Sequence, residues 1–509
     1  MMIRSTILGR RRFLATLGAL VAGGLRALGE PVSPKIRISL KEAHRGTPEI
    51  DSMLLESYGK PLEPIRKFYL EAREIFSMDQ SADFSNPALL QAAVRNDRVL
   101  MGGPLLGGLR ADGLTIWIRP SLPDAMTLEV WETGGSRRQQ FAIERGSPGQ
   151  VRRVELRELK ADTKYRYRIS HHSTPLAEGA FRTAPEIDQR GPFRIAFGSC
   201  MHKIGVHNTY LSHAIRRRDP AALLLLGDIA ADDREEKVNM HRADYLLRDV
   251  STAWSELAAN VPIYASWDDH DYFNNDLSGV PNRFRPSDRT ALREVWKENW
   301  NNPQPDESRA GIYFNQRVGP VEIIMLDTRS CRENYRRNEY GCFLGSEQMA
   351  WLKTTLQNST APFKIISSGT MWSDYVSQAK DSWGTWDREG REELFNLIEQ
   401  EGIGGVLLVS GDRHGARAFR IPRPSGFQFF EFEPATLGGV PGPKGIVKNC
   451  PEQIFGYDGR DFVAFGEFTF ETDTAEPGVT FRLIDQSGAV LEEHHFQYGE
   501  LLPKTSAQA

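Results

Sequence analysis

Hydrophobic and polar positions follow different patterns in successive parts of the chain. Residues 30–95 place apolar side chains at helical spacing, most clearly in Pro64–Glu74 and Pro87–Arg95. This spacing predicts a helical extension that packs against the rest of the protein. Residues 97–186 instead alternate with period two between turn residues, which predicts a small antiparallel β-sandwich. Its predicted strands are Leu114–Arg119, Met126–Glu132, Val151–Leu156, Tyr165–Ser170 and Gly179–Thr183.

Continuous apolar runs begin after residue 191, with helical stretches between them. Runs of this length are typical of strands that are covered on both faces, so they predict an α/β domain. Residues 440–509 return to alternation and predict a second sheet of that domain's core. The six apolar runs are Phe193–Phe197, Ala221–Leu226, Val261–Ala265, Val321–Leu326, Phe363–Ile366 and Gly405–Val409.

Residues that can carry chemistry follow these runs directly. Ligands of open α/β sheets bind at the carboxyl ends of strands, so we expect these side chains at one edge of one sheet. Taken singly, each fits a helix cap, a turn or a core filler, but their joint occurrence favours a metal site. The residues are Cys200, Asp228, Asp269, His270, Asp412 and His414.

The donor types in this set point to two unlike metal ions. Carboxylates suit hard cations, whereas imidazole and thiolate suit borderline and softer ions. Two ions that share a carboxylate, about 3.5–4 Å apart, can clamp a phosphoryl group and activate a water molecule.

Composition and charge narrow the classes of protein. The chain has 509 residues, of which 40% are hydrophobic and 26% charged, and this balance excludes a disordered, collagen-like or coiled-coil protein. The length indicates more than one domain. The net charge is −4, and removal of the five arginines in residues 1–29 would leave −9. We therefore expect no binding along the backbone of nucleic acids.

Residues 1–29 have the features of an export signal. The apolar run Phe13–Leu25 is too short to span a bilayer, which needs about 20 residues. Arg10–Leu14 fits the twin-arginine pattern, and Ala27 and Gly29 are small residues at a possible cleavage site. We expect export to the periplasm or the exterior through the twin-arginine translocon, with no transmembrane helix in the mature chain. A basic N-terminus without a targeting role is the alternative.

Six motifs in order resemble those of PhoD-type alkaline phosphatases and phosphodiesterases, in the calcineurin-like metallophosphatase superfamily. The resemblance covers roughly residues 97–495 and implies a two-sheet α/β sandwich flanked by helices, preceded by an all-β domain of the fibronectin or Ig type. The expected organisation is a signal peptide at 1–29, a helical extension at 30–96, the β-sandwich at 97–186 and the catalytic domain at 191–509. The motifs are Phe197–Cys200, Gly227–Asp228, Trp267–Asp271, Leu326–Arg329, Leu344–Leu352 and Ser410–His414.

The resemblance also implies a ligand set. One metal ion would be held by Cys200, Asp228 and His414, and the other by Asp228, Asp269 and Asp412. The family pairs Fe³⁺ with Ca²⁺, and His270 would protonate the leaving oxygen or steady the phosphate.

One position departs from the family pattern. Ala231 stands where the family usually has a tyrosine that binds iron. Its absence leaves room for water, for another ligand, or for a different metal such as zinc or manganese. Asp232 or Asp233 could compensate, and Asp232 could instead orient His270; both also fit a charged loop.

Three further features have two interpretations each. Arg329 fits either a contact to substrate phosphate or a buried structural role. Cys331 and Cys342 fit either a disulfide or free thiols. Trp372, Trp383 and neighbouring aromatic residues fit either a pocket wall or core packing.

The expected function is that of an exported, monomeric hydrolase that cleaves phosphate monoesters or diesters by attack of a metal-bound hydroxide. One alternative is a phosphodiesterase that acts on phospholipids or teichoic-acid-type diesters. Another is a non-catalytic binding protein that kept the fold and lost the iron side at Ala231. A purely structural protein is disfavoured by the residues at the strand ends.

Overall fold

Two facing β-sheets form the centre of the computed structural model, which describes residues 34–188, 191–230, 237–304, 309–376 and 381–504. The predicted signal at 1–29 lies outside these residues. Within the described ranges, no helix combines the length and apolar character needed to cross a bilayer.

The helices of the described residues are short to medium in length. They are α1 Leu40–Arg45, α2 Pro48–Glu56, α3 Glu63–Met78, α4 Pro87–Arg95, α5 His202–Gly205, α6 Thr209–Arg217, α7 Met240–Asp249, α8 Thr252–Ala258, α9 Asp269–Tyr272, α10 Pro286–Asn299, α11 Gly345–Asn358, α12 Trp383–Trp386 and α13 Arg388–Gln400. Two 3₁₀ turns cover Asn334–Arg336 and Tyr498–Leu501.

The strands fall into four sheets. They are β1 Leu100–Arg110, β2 Gly113–Pro120, β3 Met126–Glu132, β4 Arg138–Ile143, β5 Arg152–Glu155, β6 Lys164–His171, β7 Thr174–Arg182, β8 Pro192–Gly198, β9 Ala222–Leu226, β10 Ile263–Ser266, β11 Phe314–Val318, β12 Val321–Met325, β13 Phe363–Ser367, β14 Val406–Val409, β15 Gly415–Pro422, β16 Gln428–Pro434, β17 Gln453–Asp458, β18 Ala464–Glu471, β19 Gly478–Asp485 and β20 Val490–Gln497.

The six apolar runs predicted as strands are β8, β9, β10, β12, β13 and β14, but they do not share one sheet. The first sheet has the order β10-β9-β8-β18-β19-β20, and the second has the order β11-β12-β13-β14-β16-β15-β17. The expectation of a single sheet edge was therefore wrong. The parallel strands β10, β9 and β8 form one side of the first sheet, whereas β12, β13, β14 and β16 are parallel at the centre of the second. Their buried apolar runs cannot by themselves show which sheet each strand joins.

The C-terminal strands also divide differently from the prediction. Only β17 joins the second sheet, beside β15, while β18, β19 and β20 extend the first sheet from β8 by antiparallel pairing. One face of each sheet contributes to a common apolar core, where the Phe432 ring stacks on the Phe481 ring at 4.4 Å. The opposite faces are covered by helices, which gives an arrangement of helix, sheet, sheet and helix layers.

Residues 100–182 form two smaller antiparallel sheets with the orders β1-β2-β5 and β4-β3-β6-β7. The prediction missed β1, whose four glycines hide any alternation, and β4, which begins with three polar residues. Tyr165 accepts a hydrogen bond at its hydroxyl from the Lys160 backbone N–H at 2.9 Å, which closes the corner before β6. The fibronectin or Ig type of this domain stays a prediction.

The N-terminal segment, residues 34–98, packs on helix α7 of the central domain. Phe68, Ala72 and Phe76 of the amphipathic helix α3 share an apolar cluster with Leu246 and Leu247 of α7. Asn239 ties the end of α3 to the body by donating to the carbonyls of residues 76 and 79 at 3.1 and 2.8 Å. The segment is thus built into the domain.

His207 lies buried between α5 and α6, and burial lowers its pKa to about 4 from an ordinary value of 6.5. The unfolded chain therefore binds this proton more tightly than the folded protein does. The contribution of His207 to the free energy of unfolding is therefore present above pH 6.5. It is lost as the pH falls toward 4, to a limit of about 3 kcal/mol.

We expect His207→Gln to flatten the fall in unfolding free energy between pH 7 and pH 4, as measured by urea unfolding. His172→Gln, at an exposed turn between β6 and β7, is the control and should keep the wild-type slope. Identical slopes for wild type and His207→Gln would contradict the assignment.

Candidate metal centre

The predicted site residues lie where parallel strands of both sheets end. Cys200, Asp228 and Asp269 follow β8, β9 and β10 of the first sheet, and Asp412 and His414 follow β14 of the second. Four of these five residues have left-handed backbone, with φ of 54° at Cys200, 55° at Asp228, 71° at Asp412 and 44° at His414. This conformation is sparsely populated by residues with a Cβ and concentrates at functional sites.

A close approach between two loops brings the first sheet's residues together. Gly227 precedes Asp228 with φ of 107°, and a Cβ there would lie 2.5 Å from the Cβ of Asp268. Asp271 then fixes both loops, because its carboxylate accepts hydrogen bonds from the backbone N–H groups of Asp228, Ile229 and Asp268.

The first candidate group joins Cys200, His202, Asp228 and His414, with one ligand atom of each lying within 4.8 Å of the others. Cys200 Sγ is 3.7 Å from Asp228 Oδ2, and His202 Nε2 is 3.4 Å from His414 Nε2. His414 Nδ1 is 2.8 Å from the carbonyl oxygen of Pro441. Donation to that carbonyl fixes the proton on Nδ1, so the lone pair on Nε2 is directed toward the group.

Asp269 links two further groups. One contains Asp228, Asp269 and His270, and the other contains Asp268, Asp269 and Asp412, each within 4.8 Å. In the described part of the chain, the predicted trio of Asp228, Asp269 and Asp412 is divided between these two groups and does not form one group. Although burial opposes it, the Arg329 guanidinium and His270 hold the pKa of Asp269 below its usual range.

Negative charge exceeds positive charge in the site, where Arg329 lies beside Asp269 and Arg413 beside Asp412. Burial raises the pKa of Asp228 and of Asp412 well above the usual range of a carboxyl group, and it raises the pKa of the Cys200 thiol in the same way. Burial also lowers the pKa of His414 to about 3, so its imidazole is neutral. A bound cation would reverse the penalty on the acids and would accept the lone pair of the imidazole.

One oxygen of the Asp228 carboxylate is also in a state that a bound cation would stabilise. Asp228 Oδ1 is buried and has no hydrogen-bond partner among the residues that the structure describes. A buried carboxylate oxygen left in this state is costly unless a cation binds it. Thiolate, imidazole and carboxylate donors on one side, and carboxylates on the other, fit two metal ions of different softness.

Residues 195–440 match the PhoD-like phosphatase family. The chain carries a PhoD-like phosphatase domain. Alkaline phosphatase D of Bacillus subtilis (strain 168) is 24% identical over 318 residues, covering 50% of this chain and 52% of that protein. The chain thus spans about half the length of this curated relative. Over residues 195–440, the match agrees with the predicted resemblance to PhoD-type phosphatases.

Two solved structures share the fold of this chain. A structure of PhoD superposes with a TM-score of 0.61 at 19% identity, covering 77% of this chain and 92% of that one. Purple acid phosphatase PPD1 from yellow lupin seeds superposes with a TM-score of 0.59 at 15% identity, covering 80% and 76%. These likenesses confirm the predicted core fold.

Several residues at the end of the PhoD-like domain's strands escaped the sequence reasoning. His202 follows Cys200 by two residues, also with positive φ (48°), and this short spacing was the available signal. Asp268 and Asp271 were hidden within the motif around Asp269. His44 gave no signal, because it comes from the N-terminal segment, yet its ring centroid lies 4.4 Å from that of His270.

Other sequence expectations have separate outcomes. Ala231, Asp232 and Asp233 lie outside the described residues. Cys331 and Cys342 are free thiols, and Cys342 Sγ donates to the Trp386 carbonyl at 2.9 Å. Trp372 and Trp383 are fully buried and pack in the apolar cluster behind the second sheet, as in the core-packing interpretation.

Arg329 is fully buried and forms a network of ion pairs. Its Nη2 donates to Asp268 Oδ2 at 2.9 Å and to Asp381 Oδ2 at 3.1 Å, and it lies 3.9 Å from Asp269. Arg332 binds the other oxygen of Asp381 at 2.9 Å. These contacts agree with the structural interpretation of Arg329, while a contact to substrate stays a prediction.

We expect Arg329→Met to destabilise the protein by about 3–5 kcal/mol, because it leaves Asp268 and Asp381 buried without their cation. The free energy of unfolding in urea measures the effect. Arg336→Met, which removes exposed pairs to Glu333 and Glu339, is the matched control and should leave the midpoint nearly unchanged. An unchanged midpoint for Arg329→Met would contradict the structural role.

Proposed function

We propose that the chain is an exported, metal-dependent phosphoesterase that hydrolyses phosphate monoesters or diesters. The main support for this proposal is that Cys200, His202, Asp228 and His414 each place a ligand atom within 4.8 Å of the others. The PhoD-like domain over residues 195–440 supports phosphate-ester chemistry at this place. The twin-arginine pattern of residues 10–14 supports export.

The donors divide between two ions. Cys200, His202, Asp228 and His414 would hold the softer ion, for which we propose iron. The harder ion, for which we propose calcium, would bind at Asp269, which links Asp228 in one group to Asp412 in the other. His202 supplies a nitrogen donor that the family resemblance does not include. It thereby offers a protein ligand in a chain that has Ala231 where the family has a tyrosine.

The protein's own groups would position the reaction. When bound, the two ions supply Lewis acidity toward the phosphoryl oxygens and activate the attacking water. Asp228 lies between the two donor groups and keeps them at a fixed separation, and Asp271 holds its loop through backbone hydrogen bonds. His270, 4% exposed, lies beside Asp228 and Asp269, where it would donate a proton to the leaving oxygen.

We expect Asp228→Asn to lower turnover of 4-nitrophenyl phosphate and of bis(4-nitrophenyl) phosphate at least about 100-fold, since it weakens both donor groups at once. Steady-state rates and elemental analysis of the purified protein measure the effect. Asp112→Asn, at a half-exposed carboxylate after β1, is the control. More than a tenth of the activity at intact metal content would contradict the shared role.

The ratio of the two wild-type rates separates monoesterase from diesterase.

We expect His202→Ala to weaken retention of the softer ion by at least about 10-fold, because outer-sphere changes alone cost this much. If that ion is iron, the visible thiolate-to-iron absorption should also shift. Titration with a chelator, followed by elemental analysis, measures retention without any turnover. His213→Ala, at an exposed histidine of α6 outside the candidate metal groups, is the control. Equal retention in wild type and His202→Ala would remove His202 from the ligand set.

A further inference from the structure

The N-terminal segment reaches the candidate metal centre through helix α1. Ser39 begins this helix in a capping box with Glu42, and Gly46 ends it with φ of 55°. His44 occupies its last turn. Its ring centroid lies 4.4 Å from the His270 ring, inclined at 42°, and 5.8 Å from the His202 ring. A residue more than 200 positions earlier in the chain is therefore in ring contact with the proposed proton donor.

Buried polar contacts hold helix α1 in this place. Arg73 of α3 donates to the Gly46 carbonyl and, at 2.7 Å, to Asp51 of α2. Asp51 also accepts from the Tyr69 hydroxyl at 2.7 Å and is itself fully buried. Because α3 packs on α7 of the central domain, these contacts fix the end of α1 relative to that domain. His44 is thus presented from an anchored element.

The surroundings of His270 show what this contact does. The His202 ring lies 5.3 Å from the His270 ring at 76° and 5.8 Å from the His44 ring, so the three imidazoles form a triangle. The backbone alone does not fix a histidine ring, because rotation about its Cβ–Cγ bond is broad. Contacts with both neighbouring rings restrict that rotation and keep the nitrogens in a constant direction.

We infer that His44 is a positioning residue that orients His270 toward the leaving oxygen, so that the N-terminal segment completes the active site. The inference rests on the proposed function. General acid catalysis contributes about 10²–10⁴-fold and requires the donor within hydrogen-bond reach of the oxygen. Without the His44 contact the His270 ring would be held less precisely and would forfeit part of this factor. The loss is greatest for substrates whose leaving group needs the proton.

The test compares 4-nitrophenyl phosphate, whose leaving group departs with little protonation, with phenyl phosphate, whose leaving group depends on it. We expect His44→Gln, which removes the ring, to lower kcat for phenyl phosphate at least about 10-fold and kcat for 4-nitrophenyl phosphate less than about 3-fold. His44→Phe keeps a ring against His270 and should restore most of the lost rate. Arg45→Ala, an exposed neighbour on α1, should behave as wild type.

A double-mutant cycle separates this role from a general structural one. In a His270→Gln background, His44→Gln should cost no further activity toward phenyl phosphate, because it acts through the missing side chain. Metal content and the urea midpoint of the His44 variants should equal those of wild type. Equal losses for both substrates, additive losses in the cycle, or loss of metal in His44→Gln would each overturn the inference.

Failure of the proposed function gives a different result. Wild-type protein that hydrolyses neither these monoesters nor bis(4-nitrophenyl) phosphate rejects the proposed function, and the inference with it. A His270→Gln variant with an unchanged ratio of the phenyl and 4-nitrophenyl rates rejects the role of His270 and the inference. A selective loss in His270→Gln without a selective loss in His44→Gln rejects only the inference about His44.

Discussion

Negative charge is concentrated at the ends of the central strands, and the buried guanidinium of Arg329 lies among it. This cation faces Asp268, Asp269 and Asp381 together, and it holds the pKa of Asp269 down while Asp228 and Asp412 remain difficult to ionise. The protein therefore offsets part of its acidic cluster internally, through Arg329 and, at Asp412, through Arg413. The buried Asp228 pairs with neither guanidinium, so under the proposed function a bound cation balances its charge.

The parts of the site that depend on local sequence could be predicted. Short apolar runs such as Ala222–Leu226 need burial on both faces, and the residue after each run must lie at a sheet edge. Local pattern is therefore enough to single out Cys200, Asp228, Asp269, Asp412 and His414. It also indicates the α/β class, because helical stretches separate the runs.

The parts that depend on tertiary pairing could not be predicted. A buried strand such as β18 has the same sequence pattern whether it pairs with β8 or joins the other sheet. The distribution of strands between the two sheets was therefore predicted wrongly. His202 and His44 were missed for a related reason. Their proximity to His414 and His270 arises from long-range packing, and the sequence near them has no pattern that records it. Buried ion pairs such as that of Arg332 with Asp381 are equally invisible to spacing rules.

The close approach of His202 to His414 joins positions 212 residues apart, one after the first strand of one sheet and one after a central strand of the other. Contacts of such sequence separation form late, after the loop-closure entropy of both sheets has been overcome. Neither half of the chain could form this donor group alone. Under the proposed function, metal would therefore bind only after the whole domain had folded. A protein moved across a membrane in its folded state would then carry its metals from the compartment in which it folded.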